Sequence, residues 1–189
     1  MNEVYWAQSP VRTFDASVEG AIVDIAGKKY YRVRHYDRMP PFLMSVVSSS
    51  NHWMFVSSTG GLTCGRANPD RALFPYCTDD KVHDSAFHTG PKTCLLVQGD
   101  GRTHLWIPFR DGVSVYQVER NLYKSVYGSR LIFEEVNHDL DLVFSYEWAV
   151  GERFGFIKTN RILNTGTEAT TVQVLDGILS HDGELHSQT

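Results

Sequence analysis

The run "LDLVFSYEW" alternates. Leu140, Leu142, Phe144, Tyr146 and Trp148 fall on one side of an extended chain, while Asp141, Ser145 and Glu147 fall on the other. A period of two marks a strand in a sheet with one buried face, because successive side chains of an extended backbone point to opposite sides. The same period recurs along the chain. "GAIVDIAGKKYYRVRHYD" has the form of a hairpin, with strands over 21–25 and 30–35 and a turn at Gly27. Short strands are predicted over 43–47 and 53–57. Three further pairs flank turn sequences: 93–98 and 104–109 around "GDGR", 114–126 and 130–137 around "YGS", and 154–163 and 170–175 around "NTGTEA". No amphipathic helix of about 12 residues or more emerges from the 3.6-residue period. Short strands joined by Gly-, Asn- and Asp-rich turns predict an all-β protein, an antiparallel β-sandwich.

Two stretches break this rhythm. The first, "SSTGGLTCGRANPDRALFPYCTDDK" over 57–81, has no period and reads as a long connection. Loops beyond about 12–15 residues are usually functional or disordered, and the Leu, Phe and Tyr here argue against disorder. Gly60 and Gly65 sit as in a phosphate-binding loop, but Arg66 and Ala67 stand where that loop needs Lys and Ser or Thr. Asn68-Pro69 follows at once, where a helix should open. The two glycines are better read as serving a tight turn and a close backbone approach. The second stretch is the tail over 179–189, polar and without period, expected to be a disordered or aberrant end beyond a domain covering 1–178.

Composition narrows the possible partners. Hydrophobic residues make up 42% of the 189, enough for a core, and 18 basic against 22 acidic residues give a net charge of −4. No basic block stands out, so nucleic acid is not an expected partner. Neither is a membrane, since nothing approaches the roughly 18 apolar residues of a spanning helix. The N-terminus lacks the basic start and apolar core of a signal peptide, which points to the cytoplasm. Cys64, Cys77 and Cys94 are odd in number and form no CxxC pair, as expected of reduced thiols rather than a zinc site or disulfide framework. Cys64 or Cys77 as a nucleophile would need a histidine partner that the sequence does not assign.

Four kinds of chemistry can be weighed on particular residues. His83, His88 and the Asp79-Asp80 pair could gather around a divalent ion, but no metal-binding spacing supports them, and no metal or cofactor is expected. Glu134 and Glu135 are adjacent in a predicted strand and face opposite sides, so they cannot act as an acid–base pair. Asp139 and Asp141 share the polar side of "LDLVFSYEW". Asp176 instead follows Val172 and Val174 onto an apolar side, where a carboxylate needs partners. A saccharide site needs an aromatic platform and planar polar groups. Trp53, Phe74, Tyr76, Arg66, Asp70, Arg71, Asp79 and Asp80 offer that mixture in and beside the long connection.

The runs "HWMFVSSTGGLTCGRANPDRALFPYCTDDK", "ERNLYKSVYGSRLIFEEVNHDLDLVFSYEW" and "FGFIKTNRILNTGTEATTVQVLDGI" resemble the N-terminal region of cellobiose-phosphorylase-like proteins. These are inverting glycoside phosphorylases of the six-hairpin glycosidase group. The resemblance covers roughly 30–178. It implies a β-supersandwich of the galactose-mutarotase-like type, incomplete at its C-terminal end, which in the family supports a catalytic (α/α)6 barrel, carbohydrate and a homodimer. On this reading the chain is a non-catalytic, carbohydrate-binding or supporting domain. Missing strands would leave open edges and an apolar face prone to self-association. The alternative is a stand-alone epimerase of mutarotase type, with His104 and Glu135 or Asp176 as its acid and base.

Overall fold

A computed structural model describes residues 5–6, 9–10, 16–74, 76–99, 101–110, 115–179 and 185–186. Strands dominate among the described residues. In chain order they are β1 (Tyr5–Trp6), β2 (Ser9–Pro10), β3 (Glu19–Ile25), β4 (Lys28–Arg34), β5 (Leu43–Ser45), β6 (His52–Ser57), β7 (Leu62–Arg66), β8 (Ala72–Phe74), β9 (Gly90–Gly99), β10 (Arg102–Trp106), β11 (Val118–Ser125), β12 (Arg130–Asn137), β13 (Leu142–Gly151), β14 (Gly155–Asn164), β15 (Thr171–Leu179) and β16 (Leu185–His186). One short helix, α1 (Asp79–Asp84), follows β8. Among the described residues no helix is long and apolar enough to cross a membrane.

The strands form an all-β, antiparallel sandwich. One layer is a six-stranded sheet in the order β14-β13-β12-β11-β4-β3. The other is divided into two four-stranded sheets, β5-β6-β7-β8 and β10-β9-β15-β16. The large sheet turns Leu122, Leu131, Phe133, Leu142, Phe144, Tyr146 and Trp148 inward. Met54, Val56, Leu62 and Cys64 meet them from one small sheet, and Leu95, Val97 and Trp106 from the other. A single core thus joins these three sheets, while β1 and β2 pair with each other as a separate two-stranded sheet. Each such side chain fully buried contributes on the order of 1.5–3 kcal/mol.

Strand β13 reproduces the predicted alternation, with its inward residues buried and its outward ones half-buried. It begins two residues later than the sequence pattern suggests. Asp139 accepts a hydrogen bond from the Gln117 backbone N–H at 2.7 Å, and Asp141 takes a positive φ of 51° in the turn ahead of the strand. The two aspartates therefore shape a turn rather than a strand face, although Leu140 still packs against the core.

The larger difference lies in 57–81. This stretch contains β7, a 3₁₀ turn (Pro69–Arg71), β8 and the start of α1. Strand β7 runs between β6 and β8, and Leu62, Thr63, Cys64 and Gly65 are all buried. With both faces covered there is no polar side, so the period of two disappears from the sequence. The two glycines do what their positions suggested. Gly60 takes a φ of +95° in the turn between β6 and β7, and a Cβ on Gly65 would lie 2.5 Å from the Trp53 ring and 2.7 Å from Ala72 Cα.

Candidate functional site

Trp53 lies on β6, paired with Gly65 of β7, whose missing side chain leaves room for the indole. Tyr76, 58% exposed, meets it edge-on at 5.9 Å, and Phe55 lies at 6.3 Å. These rings make an aromatic shelf on the outward side of β6. Beside it is a hollow of about 310 Å³ lined by Ser50, Asn51, His52, Trp53 and Ala67. Arg66 ends β7, and Asp70 and Arg71 occupy the turn that follows; all three are exposed. Among the described residues they form no ion pair with one another, so their planar groups face solvent.

Asp79 and Asp80 have other work. Asp80 accepts from the Thr78 hydroxyl at 2.6 Å, which holds its carboxyl below the usual range. Asp79 pairs with His83 Nε2 one helical turn on, at 3.1 Å. Phe74 is buried in the core and joins no platform. Of the residues the sequence suggested, the structure gathers Trp53 and Tyr76 and places Arg66, Asp70 and Arg71 on the adjoining strand and turn. It assigns Asp79 and Asp80 to the helix.

The ring of His83 also bonds Ser57 Oγ through Nδ1 at 2.6 Å. A serine, an imidazole and a carboxylate thus lie in line, an arrangement that sequence spacing did not reveal. Ser57 is fully buried, however, and its hydroxyl also contacts Thr59 Oγ1 at 2.7 Å. An inaccessible hydroxyl cannot attack a substrate, so the trio acts as a clasp that ties α1 to β6 and to the turn at Gly60.

A second concavity, a cleft of about 850 Å³, opens between the layers. Arg120, Phe133 and Tyr146 of the large sheet line it, together with Phe109 from the loop after β10 and Thr93 and Leu175 from a small sheet. Arg120 is anchored by Glu135, with Nε at 2.7 Å from the carboxylate. Burial opposes the Arg120 charge, but Glu135 together with Tyr36 outweighs it and raises its pKa. Glu135 is 2% exposed and also accepts from Trp106 Nε1 and the Phe109 backbone N–H, both at 2.8 Å. Burial, with Tyr36 nearby, holds the Tyr146 hydroxyl well above the usual tyrosine range, so it remains protonated.

Asp176 is equally committed. Its carboxylate accepts from Lys158 Nζ at 2.7 and 2.8 Å, from the Thr93 hydroxyl at 2.6 Å and from Asn160 Nδ2 at 2.6 Å. Burial pushes the Lys158 pKa down, while Asp176 pulls in the opposite direction. Both carboxylates that could serve an acid–base pair with His104 therefore carry donors on both oxygens. His104 itself is half-buried on β10, opposite Val97. Burial also pushes the Cys64 thiol up to about 12, far from the thiolate a nucleophile requires. Among the described residues no three metal-ligating side chains gather. No protein-family model matches the sequence, and no curated protein matches it.

Proposed function

We propose that the chain is a non-catalytic, carbohydrate-binding β-sandwich that supports the (α/α)6 barrel of a cellobiose-phosphorylase-like glycosyltransferase or glycoside hydrolase, acts in the cytoplasm and pairs as a homodimer. The observation that carries the binding half is the aromatic shelf. Trp53 and Tyr76 present ring surface for the apolar face of a pyranose, and Arg66, Asp70 and Arg71 stand exposed on the adjoining strand and turn, without ion-pair partners among the described residues. The non-catalytic half rests on Glu135 and Asp176, whose oxygens are already occupied by donors and are poor proton acceptors for an epimerase. The three runs that resemble the phosphorylase-like family support the choice of parent enzyme.

Titration with cellobiose, followed by the indole N–H signal of Trp53 in NMR spectra, tests the reading. The signal should move on titration, and Trp53→Ala or Tyr76→Ala should weaken binding by about five- to tenfold, the effect of losing one ring contact worth on the order of 1–1.5 kcal/mol. An unmoved indole at tens of millimolar cellobiose would overturn the binding half. Measurable interconversion of glucose or galactose anomers would overturn the non-catalytic half.

A further inference from the structure

Charged side chains gather around Arg120 in the interlayer cleft. The Arg120 side chain is 15% exposed and is fixed from two directions: Nε donates to Glu135 and Nη2 to the Arg110 carbonyl, both at 2.7 Å. Its third nitrogen, Nη1, has no hydrogen-bond partner among the described residues and is not sealed from solvent. Each carboxylate here has a cation of its own. Glu135 has Arg120, and Asp37, which lines the cleft, has Arg38 at 3.9 Å. Lys92, a further cation in the lining, donates to the Ala86 carbonyl. Arg110 is exposed and forms no ion pair among the described residues, so its charge is left unopposed. Met39 and Ile107, close in sequence to Asp37 and Arg110, line the same cleft and are 39% and 36% exposed.

A guanidinium already held by two bonds has little rotamer freedom left to lose, so a ligand on Nη1 binds without having to order it. Arginines only donate, and these two are cationic, so their complement is an oxyanion. A carboxylate is planar like the guanidinium and carries one negative charge, which answers the one unopposed arginine. Met39 and Ile107 offer apolar surface to the rest of such a molecule. The cleft volume falls within the roughly 300–1,000 Å³ of small-molecule sites. We propose that this cleft is a second binding site, taking a small monocarboxylic acid with an apolar body, its carboxylate on Arg120 and Arg110 and its body against Met39 and Ile107. The site goes beyond the saccharide reading and does not depend on it.

The probe is 3-phenylpropanoate, and the methyl resonances of Met39 and Ile107 are the readout. Millimolar 3-phenylpropanoate should shift them. Its amide, of the same shape without the charge, should bind about tenfold more weakly, the loss of a hydrogen bond to a charged group. Arg110→Ala, at an exposed position where folding is little affected, should weaken binding by a similar factor. So should Arg120→Met combined with Glu135→Leu, which removes the guanidinium without stranding its partner. Asp37→Asn removes the carboxylate nearest the ligand's own and should strengthen binding several-fold. The proposal is overturned by unshifted resonances, by an amide that binds as tightly as the acid, by undiminished affinity in Arg110→Ala or in a natively melting double variant, or by weaker binding in Asp37→Asn. It is overturned as well if inorganic phosphate, which has no apolar body, moves the same signals at equal concentration. The saccharide reading is followed at the Trp53 indole with cellobiose, so either site can fail without the other.

Discussion

Glu135 occupies a position where the alternation of β12 calls for a hydrophobe, since Leu131 and Phe133 precede it on the buried face. It is tolerated there because Arg120, Trp106 and Phe109 supply its oxygens with donors. Removing one member of a buried pair strands the other's charge, which typically costs about 3–5 kcal/mol. Glu135→Leu is expected to lower stability by that amount in urea denaturation, and adding Arg120→Met should recover much of it. A loss below about 1 kcal/mol would show that the pair does not hold this end of the core. The sequence placed Glu134 and Glu135 on opposite sides, as found: Glu134 accepts from Asn121 and Tyr123 on the outward face. It did not show which side is buried, because the donors to Glu135 come from β10, β11 and the loop after β10.

At the scale of elements, β3, β4 and β11 are fastened by Arg34. Its guanidinium grips Glu119 of β11 through two bonds, at 2.7 and 3.1 Å, and reaches Glu19 of β3 at 3.2 Å. The Arg34 bonds, aided by Asn121, hold the Glu119 carboxyl at about 2 against an ordinary 4.5, despite burial that acts the other way. A depressed carboxylate pKa stabilises the fold fully above its unfolded value and loses that contribution as pH falls through the folded one. Arg34→Gln should therefore be less stable than the native chain above pH 4.5, with the gap closing toward pH 2. Because Arg34 is 33% exposed, the gap should be modest, about 1 kcal/mol or less. Thermal melts across this range would refute the assignment if the gap stayed constant. The strands joined here were legible from their alternation. Strand β7 was not, since a strand buried on both sides leaves no polar face to count.

At the scale of the whole molecule, Lys158 and Asp176 close the sandwich. Lys158 projects inward from β14 of the large sheet, 7% exposed, and Asp176 meets it from β15 of a small one. Asp176→Ala would leave a buried ammonium without its counter-charge and should cost about 3 kcal/mol or more, whereas pairing it with Lys158→Met should return most of that stability. Equal stability of Asp176→Ala and native protein in chemical denaturation would refute this role. Local pattern suggested that Asp176 needed a partner but could not name Lys158, which lies on the preceding strand in another sheet. The sequence by itself determined the all-β class, most of the strands and the inward face of β13, because strand periodicity is a local consequence of burial on one side. Only the tertiary structure decided that Asp79 serves a clasp, that Trp53 meets Tyr76, and that a Tyr146 hydroxyl opens on a cleft between layers. Those relations join residues far apart in the chain, and contact across sheets is set by packing rather than by spacing.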